Sequence, residues 1–582
     1  MTLTESLDRA RSPMLASAVG DALGWPIENR SGLVGGVSRV QPRLELINWV
    51  RREGGRYAPH EVEIEAGSYS DDTQLTLAVA RSRLRGDAWW QHWTEFELPM
   101  WLVYERGGGG ASKRAAQAWS RGKAPWSEEL KSADRERYFE AGGNGVAMRI
   151  LPHVLIAYSE DFGVPAADIF SDGLCTHGHP RALLGALAHG YALWLALNHR
   201  QEQALGFGEL VERTIEGEQH WGRVPALPPA LSEWQEQVET TRPQFSQTWE
   251  RTREEMLDLL AVCRNSLGRG SLAVDRETLD GIGAFDPKAN GAGTIAAAAA
   301  VFLASRYASQ PGQGLTAAAF AKGADTDTIA AMTGGLLGAI HRDGWLAGLR
   351  AEVQDARYID ALAGELSKGA TKSLPVAEPW RQADRRELWN QLEEMETGAV
   401  FELPVFGHSK LARIRPMQTK SSNIIREWVL HTGEGLTLFV KRVSPAKDRD
   451  VTSTSAGPLS PAWIVCQTAD LSRSERFYSK TIGLPTRLDS GSNRIWVSDR
   501  LVFEAAKPGW RPSASPKDEP DLLDRGQAVT FFRNEHDLAA THKRLVEAGE
   551  FPVSGLLERD GRSAFRCADP DGYVVEIRAT PK

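Results

Sequence analysis

Two short stretches of the sequence place several side-chain oxygen atoms directly before an apolar helical pattern. The first reads Tyr-Ser-Asp-Asp-Thr-Gln over residues 69–74, and the second reads Asp-Thr-Asp-Thr over residues 325–328. Carboxylate and hydroxyl oxygens are hard ligands that suit Mg²⁺ or Mn²⁺. If the two clusters meet in space, their four carboxylates would repel one another unless a cation lay among them. In that case a divalent metal site becomes the favoured interpretation.

Helix capping is the simpler interpretation of each cluster taken alone. Asp is a common N-cap residue, and Asp71 or Asp72 stands where an amphipathic helical pattern begins. One cap needs one carboxylate, however, so each cluster carries a surplus acid. A glycosidase-type pair of acid and nucleophile is a further alternative. Neighbouring carboxylates such as Asp71 and Asp72 point in different directions, so they are poorly placed to flank one bond.

Helical periodicity extends from about residue 9 to residue 365, interrupted by Gly- and Pro-rich loops. Long alternating strand patterns are nearly absent from this region. The pattern predicts one large all-α domain that positions the two clusters. We also expect close helix packing at the glycines Gly20, Gly24, Gly334, Gly335 and Gly338.

The character of the sequence changes after residue 379. Short strand-like segments separated by turns follow, then a polar, aperiodic stretch, and then two repeats of a strand, a helix and three strands. The predicted fold is therefore multidomain, with a large all-α domain, a small β-rich middle segment and a C-terminal α+β domain of paired βαβββ units. The predicted bounds are 1–379 for the helical domain, 380–445 for the β-rich segment, 446–460 for a linker and 461–582 for the C-terminal domain.

Composition and charge restrict the function classes. The formal net charge of −8 argues against bulk electrostatic binding to nucleic acid. The segment 380–445 is nevertheless locally basic, and it is either a solvated β unit or a contact surface for a nucleic acid or an acidic conjugate. Its basic residues are Lys410, Arg413, Arg415, Lys420, Arg426, Lys441 and Arg442.

The sequence predicts a cytoplasmic protein that does not span a membrane. The most apolar run, residues 294–304, is much shorter than the roughly 20 residues that a membrane span needs. The first residues lack the pattern of a secretory signal. The four cysteines are widely scattered and suggest neither a disulfide framework nor a metal-binding Cys pair.

Five ordered motifs carry a resemblance to a known family. They read AVGDALGWPIE at 18–28, YSDDTQ at 69–74, GNGVAMRILP at 143–152, THGHPRA at 176–182 and GADTDTIAAMTGGLLGA at 323–339. With these motifs in this order, the helical region resembles the ADP-ribosylglycohydrolase family. The resemblance covers roughly the first two thirds of the chain.

The resemblance implies a helical fold with a centre of two divalent ions, usually Mg²⁺, with Mn²⁺ also suited to the donors. The ligands that it implies are Ser70, Asp71, Asp72, Asp325, Asp327 and Thr328, with Ser70 standing where the family often has Thr. Glu28, Asp72 and Asp327 would act in catalysis. The substrate-binding residues that it implies are Gly108, Gly110, Ser112, Asn144, Gly145, Met148 and His179. The expected reaction is hydrolysis at ribose C1″ of an ADP-ribosylated protein, nucleic acid or small molecule.

The C-terminal repeats resemble the glyoxalase and bleomycin-resistance superfamily, also called vicinal oxygen chelate proteins. By register, the positions at which metal enzymes of that superfamily carry ligands are Trp463, Glu504, Gln527 and Glu576. Tryptophan cannot ligate a metal, and catalytic metal sites usually supply three protein ligands. We therefore expect a binding or docking domain here, which can pair with itself or with a second copy.

Two other functions are compatible with the sequence. The chain could bind ADP-ribose without hydrolysing a conjugate, or its main role could be small-molecule binding by the C-terminal domain. The complete acidic clusters favour hydrolysis, because a protein that only binds could lose these acids freely. The acceptor that carries the ADP-ribose is not determined by the sequence.

Overall fold

A computed structural model describes most of the chain. In the N-terminal unit, residues 1–449, the described ranges are 3–28, 42–54, 59–199, 205–369, 372–374, 378–419 and 423–445. In the C-terminal unit, residues 450–582, they are 464–468, 470–481, 487–489, 494–498, 501–505, 531–535, 538–548, 553–559, 562–568 and 574–579. The predicted linker at 446–460 lies outside the described residues.

The N-terminal unit is mainly helical, as the sequence predicts. Its α-helices are α1 (Leu3–Gly24), α2 (Asp71–Arg83), α3 (Trp89–His92), α4 (Leu98–Tyr104), α5 (Gly110–Trp119), α6 (Ser132–Phe139), α7 (Leu151–Ala157), α8 (Gly163–Leu174), α9 (Pro180–Asn198), α10 (Glu209–Glu216), α11 (Glu218–Trp221), α12 (Ser232–Thr241), α13 (Phe245–Leu267), α14 (Asp275–Gly281), α15 (Gly293–Arg306), α16 (Pro311–Ala319), α17 (Thr326–His341), α18 (Leu349–Glu352), α19 (Ala356–Leu366) and α20 (Gln382–Glu394). Short 3₁₀ and π turns connect several of them.

Strands in this unit form two sheets. An antiparallel hairpin of β1 (Trp49–Glu53) and β2 (His60–Ile64) interrupts the helical region, which sequence analysis did not predict. The second sheet is antiparallel and four-stranded, in the order β3-β4-β5-β6. Its strands are β3 (Val400–Leu403), β4 (Gly407–Gln418), β5 (Asn423–Thr432) and β6 (Thr437–Pro445).

Helix α15 lies in the interior of the unit, and its residues Gly293–Ser305 are buried on every face. A helix that is apolar all round belongs in a protein core or in a membrane. Here α15 packs against α9, α13 and α17. Within the described ranges, none of the helices combines the length and the apolar character that crossing a membrane requires.

Helices α1 and α17 pack with their backbones in direct contact at glycines. A Cβ atom on Gly20 would lie 2.2 Å from the carbonyl oxygen of Ala330, and one on Gly334 would lie 2.2 Å from that of Ala16. The close packing predicted for Gly20, Gly24, Gly334 and Gly338 follows the same geometry. Gly335 differs, because a Cβ atom there would meet no atom closer than 3.8 Å. This packing fixes the start of α17 against the end of α1.

Replacing Gly334 by Ala is expected to destabilise the protein by about 1–3 kcal/mol, because the new methyl group would force the two helices apart. Gly335→Ala is the matched control on the same helix. It should be neutral or stabilise the fold by about 0.5–1 kcal/mol, because alanine has the higher helix propensity and its methyl group would lie at ordinary van der Waals distances from its neighbours. Urea unfolding of both variants measures the difference. Equal stability of the two variants would contradict the backbone-contact account.

The sheet β3–β6 and helix α20 belong to the same compact unit as the helical region. Most basic residues predicted as a possible contact surface are paired with acids. Glu65 accepts hydrogen bonds at 3.1 Å from both Arg413 and Arg415, and Glu53 accepts one at 2.7 Å from Lys441. Arg426 and Arg442 form ion pairs with Glu393 of α20. These pairs neutralise much of the positive charge that a nucleic acid would need.

The C-terminal unit contains the two predicted βαβββ repeats. The first comprises β7 (Ile464–Thr468), α21 (Leu471–Arg476), β8 (Arg487–Asp489), β9 (Arg494–Ser498) and β10 (Leu501–Ala505). The second comprises β11 (Phe531–Glu535), α22 (Leu538–Ala548), β12 (Leu557–Arg559), β13 (Arg562–Ala568) and β14 (Val574–Ala579). In each repeat the first strand pairs in parallel with the last strand, in the orders β7-β10-β9-β8 and β11-β14-β13-β12. The predicted multidomain fold class is confirmed.

Candidate active site

At the start of helix α2, the carboxylates of Asp71 and Asp72 are not needed to cap the helix. Ser70 is the N-cap residue, and its hydroxyl accepts a hydrogen bond from the Asp72 amide at 3.2 Å. The carboxylate of Asp21 on α1 accepts from the amides of Ser70 and Thr73 at 3.0 Å each. Because Ser70 and Asp21 satisfy these amides, the side chains of Asp71 and Asp72 are available for another role.

Helix α17 begins in a similar way. Asp325 occupies the N-cap position, yet its side chain makes no capping hydrogen bond to the described backbone. Its Oδ2 instead accepts a hydrogen bond at 2.9 Å from the side-chain amide of Asn144, 181 residues away. Asp327 Oδ1 accepts from the amide of Thr328 at 2.9 Å, within the first turn. Capping therefore does not explain Asp325, and it involves only Oδ1 of Asp327.

The tertiary structure brings the two clusters together. Burial raises the pKa of Asp72 well above its usual range, and the negative charges of Asp21, Asp71 and Asp325 raise it further. The hydroxyl of Thr328 faces Asp72 and lowers that pKa. Such raised values are typical of carboxylates that share a buried site without a counterion.

Asp327 shows the same behaviour from the other side of the site. Burial is the largest cause that raises its pKa, followed by the charges of Glu28, Asp325 and Asp72. The two helix starts thus place Asp72 and Asp327 within electrostatic reach of each other. The two acidic clusters therefore converge, which is the condition under which a divalent metal site is favoured over helix capping.

The donor atoms fit a hard cation, although they do not form a closed cage. Asp72 is 3% exposed, and its Oδ1 is buried without a hydrogen-bond partner among the described residues. An unpaired buried carboxylate oxygen is costly unless it binds a cation or a proton. Across the described ranges, however, no three acid, imidazole or thiol groups already stand at metal-ligand spacing.

Glu28 lies close enough to Asp71 to affect its titration. Glu28 follows α1 and its 3₁₀ turn and is half-buried. Its charge raises the pKa of both Asp71 and Asp327, so it lies near both clusters. Burial, followed by the charges of Glu105, Asp21 and Glu28, raises the pKa of Asp71 to about 8, against the effect of Arg51. A carboxylic acid with such a pKa can hold a proton near neutral pH.

Three predicted substrate residues, Gly108, Gly110 and Ser112, lie in the loop before α5 and in its first turn. The amide of Gly108 already donates to Glu105 Oε2 at 3.0 Å, and Gly110 is the first residue of α5. Ser112 is buried on α5 and faces the loop of Gly145, where a Cβ atom would lie 3.2 Å from Ser112 Oγ. The structure therefore brings Ser112 and Gly145 together, whereas the Gly108 amide is engaged elsewhere.

Asn144 donates a hydrogen bond to Asp325 of the second acidic cluster, whereas the hydrogen bonds of Met148 and His179 are to other residues. Met148 is buried, and its carbonyl oxygen accepts from the Thr76 hydroxyl of α2 at 3.3 Å. His179 is the N-cap residue of α9, where Nδ1 accepts from the Arg181 amide at 3.1 Å. It also lines a cavity of about 390 Å³ together with the aromatic rings of Phe139 and Phe245.

Sequence analysis missed the residues that hold this loop in place. Arg149 and Asp172 form a fully buried ion pair at 3.0 Å, and Arg149 also donates to the Gly145 carbonyl at 2.6 Å and to Thr176 at 2.9 Å. Arg149 lies within the quoted motif at 143–152, but nothing in the local pattern identifies Asp172 as its partner. The pair fixes the loops that carry Asn144 and the adjacent His177.

The comparison with protein-family models identifies the chain. The model described as ADP-ribosylglycohydrolase matches residues 2–375, which is more than half of the sequence. The chain therefore belongs to the ADP-ribosylglycohydrolase family, and it is a hydrolase that acts on glycosidic bonds. A second model, the glyoxalase/bleomycin resistance protein/dioxygenase superfamily, matches residues 460–577. Both resemblances stated from the sequence are confirmed.

Solved structures show similarity to each part separately. An ADP-ribosylglycohydrolase-related protein complex is 20% identical with a TM-score of 0.40, covering 63% of this chain and 100% of that chain. A bleomycin-binding protein complexed with bleomycin is 19% identical with a TM-score of 0.16, covering 21% and 100%. A lactoylglutathione lyase from Agrobacterium tumefaciens is 21% identical with a TM-score of 0.16, covering 21% and 96%. No curated protein matches this chain.

Proposed function

We propose that the chain is a Mg²⁺-dependent hydrolase that cleaves the bond at ribose C1″ of an ADP-ribosylated acceptor and releases ADP-ribose. The proposal is based on the proximity of the two acidic clusters at the starts of α2 and α17. Within this site, the buried Asp72 Oδ1 has no hydrogen-bond partner among the described residues. The family membership supplies the class of bond. The acceptor is a protein side chain, a nucleobase or a small molecule.

Two Mg²⁺ ions, or Mn²⁺ in their place, would be held by Ser70, Asp71, Asp72, Asp325, Asp327 and Thr328. When bound, such ions would orient the substrate hydroxyls and position the attacking water. The unpaired Asp72 oxygen and the mutual repulsion of the acids fit this role. Asn144 would keep Asp325 in place through its 2.9 Å hydrogen bond.

The chain's own acids would manage the protons of hydrolysis. The oxygen of water forms a bond to C1″ while the bond from C1″ to the acceptor breaks, and the electron pair leaves with the acceptor. Glu28, near both clusters, would take the proton of the attacking water. Glu28, once protonated, would pass that proton to the departing acceptor. The cavity beside His179, whose lining includes Phe139 and Phe245, would accept the adenine ring.

We expect release of free ADP-ribose when the full-length protein is incubated with Mg²⁺ and a panel of conjugates carrying ADP-ribose on arginine, serine, a nucleobase and a small metabolite. Chromatography of the products measures it. The acceptor with the highest kcat/KM identifies the substrate class. Stoichiometric binding of ADP-ribose with no hydrolysis of any conjugate would contradict the proposal and favour a binding protein.

We propose that the C-terminal unit binds or docks a partner and does not carry a second catalytic metal. Glu504 and Glu576 lie in β10 and β14, while Trp463 and Gln527 lie outside the described residues. Two acids and a tryptophan do not supply the three protein ligands of an ordinary catalytic site. Metal analysis of the full chain tests this, because a bound transition metal that is lost on Glu504→Ala would contradict it.

A further inference from the structure

A surface cleft beside α5 carries more positive than negative charge. Its volume is about 110 Å³, and its lining residues come mainly from α5 and α6. The charged lining residues are Arg114, Arg121, Arg137 and Asp134, so three positive charges face one negative charge and the net formal charge is +2. Asp134 is already paired with Arg137 at 3.4 Å. We call this surface the arginine cleft.

Two of the three arginines lack a counterion in the described part of the chain. The guanidinium groups of Arg114 and Arg121 form no ion pair and no hydrogen bond within the described ranges. By contrast, Lys113 and Lys123 of the same segment pair with glutamates at 3.4 Å and 2.9 Å. Neighbouring guanidinium groups without counterions repel one another, so an anion bound among them would stabilise the cleft.

Arg114 places the arginine cleft next to the loops of the candidate active site. A Cβ atom on Gly110, the first residue of α5, would lie 3.0 Å from Arg114 Nη1. Burial, followed by the charge of Arg149, lowers the pKa of His177 to about 3, and the charge of Arg114 acts in the same direction. The residue before His177, Thr176, lines the cleft itself. A group bound in the cleft would therefore lie close to a substrate bound in the active site.

The arginine cleft is distinct from the place expected for the pyrophosphate of ADP-ribose. The α-helix has 3.6 residues per turn, so Arg114 lies about 160° around α5 from Ser112. Ser112 is buried and faces Gly145, whereas Ala115 and Ala118 on the other side of α5 line the cleft. An anion in the cleft would therefore be a second anionic group, separated from the first by the width of the helix.

We propose that the arginine cleft binds a phosphate group that is not part of ADP-ribose. The planar donors of a guanidinium match the oxygen atoms of a phosphate. Pockets for drug-sized ligands have roughly 300–1,000 Å³, so a cleft of about 110 Å³ suits a single phosphate group. The phosphate is either carried by the acceptor of the conjugate or is free inorganic phosphate. The first source rests on the proposed hydrolase function, and the second does not.

Calorimetric titration of the full-length protein with inorganic phosphate tests the cleft directly. The titration is done without divalent ions, so that the bare acidic clusters repel the anion. We expect the double variant Arg114→Gln with Arg121→Gln to bind phosphate roughly 10-fold more weakly, as for loss of charge-assisted hydrogen bonds at exposed positions. The control is Arg357→Gln with Arg386→Gln, which removes the same charge from two exposed arginines outside the cleft. It should bind phosphate as the wild type does.

Kinetics with matched conjugates, with and without a phosphate on the acceptor, identify the source of the phosphate. If the acceptor carries it, the cleft variant should raise KM about 10-fold more for the phosphate-bearing conjugate than for its counterpart. If the ligand is free phosphate, added phosphate should change the kinetics of the wild type with both conjugates and affect the variant less. A folded cleft variant with wild-type phosphate affinity, or a wild type that binds no phosphate, would overturn the inference. A wild type that binds phosphate but hydrolyses no conjugate would instead overturn the proposed hydrolase function.

Discussion

Asp327→Asn is expected to lower kcat for ADP-ribosyl hydrolysis by roughly 10³-fold, because loss of a divalent ion from the site removes about 4 kcal/mol of transition-state stabilisation. Asparagine keeps the hydrogen bond that Asp327 Oδ1 accepts from the Thr328 amide. The substitution therefore removes negative charge with little change in shape. Steady-state kinetics with the preferred conjugate in saturating Mg²⁺ measure the effect.

The stability of the metal-free protein should change in the opposite direction. Glu28, Asp325 and Asp72 repel the Asp327 carboxylate in its buried position, so removing that charge should raise the free energy of unfolding in EDTA. Added Mg²⁺ at 100 times its Kd should stabilise the wild type by about 2.7 kcal/mol, and the variant much less. Thermal unfolding with EDTA and with Mg²⁺ separates the two effects.

Asp286→Asn provides the matched control, because Asp286 is an exposed acid that likewise accepts a backbone hydrogen bond, from Lys288 at 3.0 Å. It should leave both kcat and the Mg²⁺-dependent stability unchanged. A variant at Asp327 that keeps wild-type turnover would contradict the metal assignment. If Asp327→Asn loses activity in Mg²⁺ and also unfolds at a lower temperature than the wild type in EDTA, the variant is misfolded and the electrostatic account is contradicted.

Arg149→Met is expected to destabilise the protein by about 3–5 kcal/mol, the largest stability effect that we predict, because it leaves the fully buried Asp172 without its counterion. Arg149 also bridges the Gly145 carbonyl and the Thr176 hydroxyl. The loop of Asn144 would lose its support at the same time. Chemical denaturation at pH 7 measures the free energy of unfolding.

The loss of stability in Arg149→Met should become smaller as the pH falls. Burial alone would raise the pKa of Asp172, but Arg149 and His153 outweigh it and lower the pKa. The stabilisation from this carboxylate is therefore present above the unfolded pKa of about 3.9 and is lost as the pH falls through the lower folded value. Without Arg149, Asp172 should bind a proton more readily, so the deficit of the variant should shrink between pH 7 and pH 4.

Arg181→Met is the control for loss of an arginine ion pair. Arg181 forms a 2.8 Å pair with Glu255, but its side chain is 48% exposed. An exposed pair contributes about 0–1 kcal/mol, so this variant should remain close to the wild type. The double variant Arg149→Met with Asp172→Leu should recover much of the loss, because it removes both buried charges. Equal losses of unfolding free energy in Arg149→Met and Arg181→Met would contradict the argument that burial makes the Arg149–Asp172 pair more important than the exposed Arg181–Glu255 pair.

The helical fold class, the repeated C-terminal pattern and the two acidic clusters were all predictable from the sequence. Each depends on local information, namely helical periodicity and the types of residues that precede a helix. The hairpin β1–β2 was not predicted, although His60–Ile64 alternates between buried and exposed residues as a strand with one buried face should. Five residues of alternation are too few to be recognised as a strand within a long helical region.

Pairing between distant residues could not be predicted in the same way. Asn144 and Asp325 are separated by 181 residues, and Arg149 and Asp172 by 23 residues and a change of helix. No periodicity links such partners, because their contact depends on how helices pack and not on how each one forms. The family resemblance therefore implies which residues act in catalysis but not how they are arranged in space.

The sequence by itself determined which residues begin α2 and α17, because hydroxyl, carboxylate and apolar residues follow one another in a locally readable order. Only the tertiary structure decided that the two helix starts face each other, that Ser70 and Asp21 free the acids from capping, and that Gly334 contacts a backbone while Gly335 does not. The physical reason is that helix formation depends on residues within about one turn, whereas charge repulsion, burial and backbone contact depend on atoms brought together from distant parts of the chain.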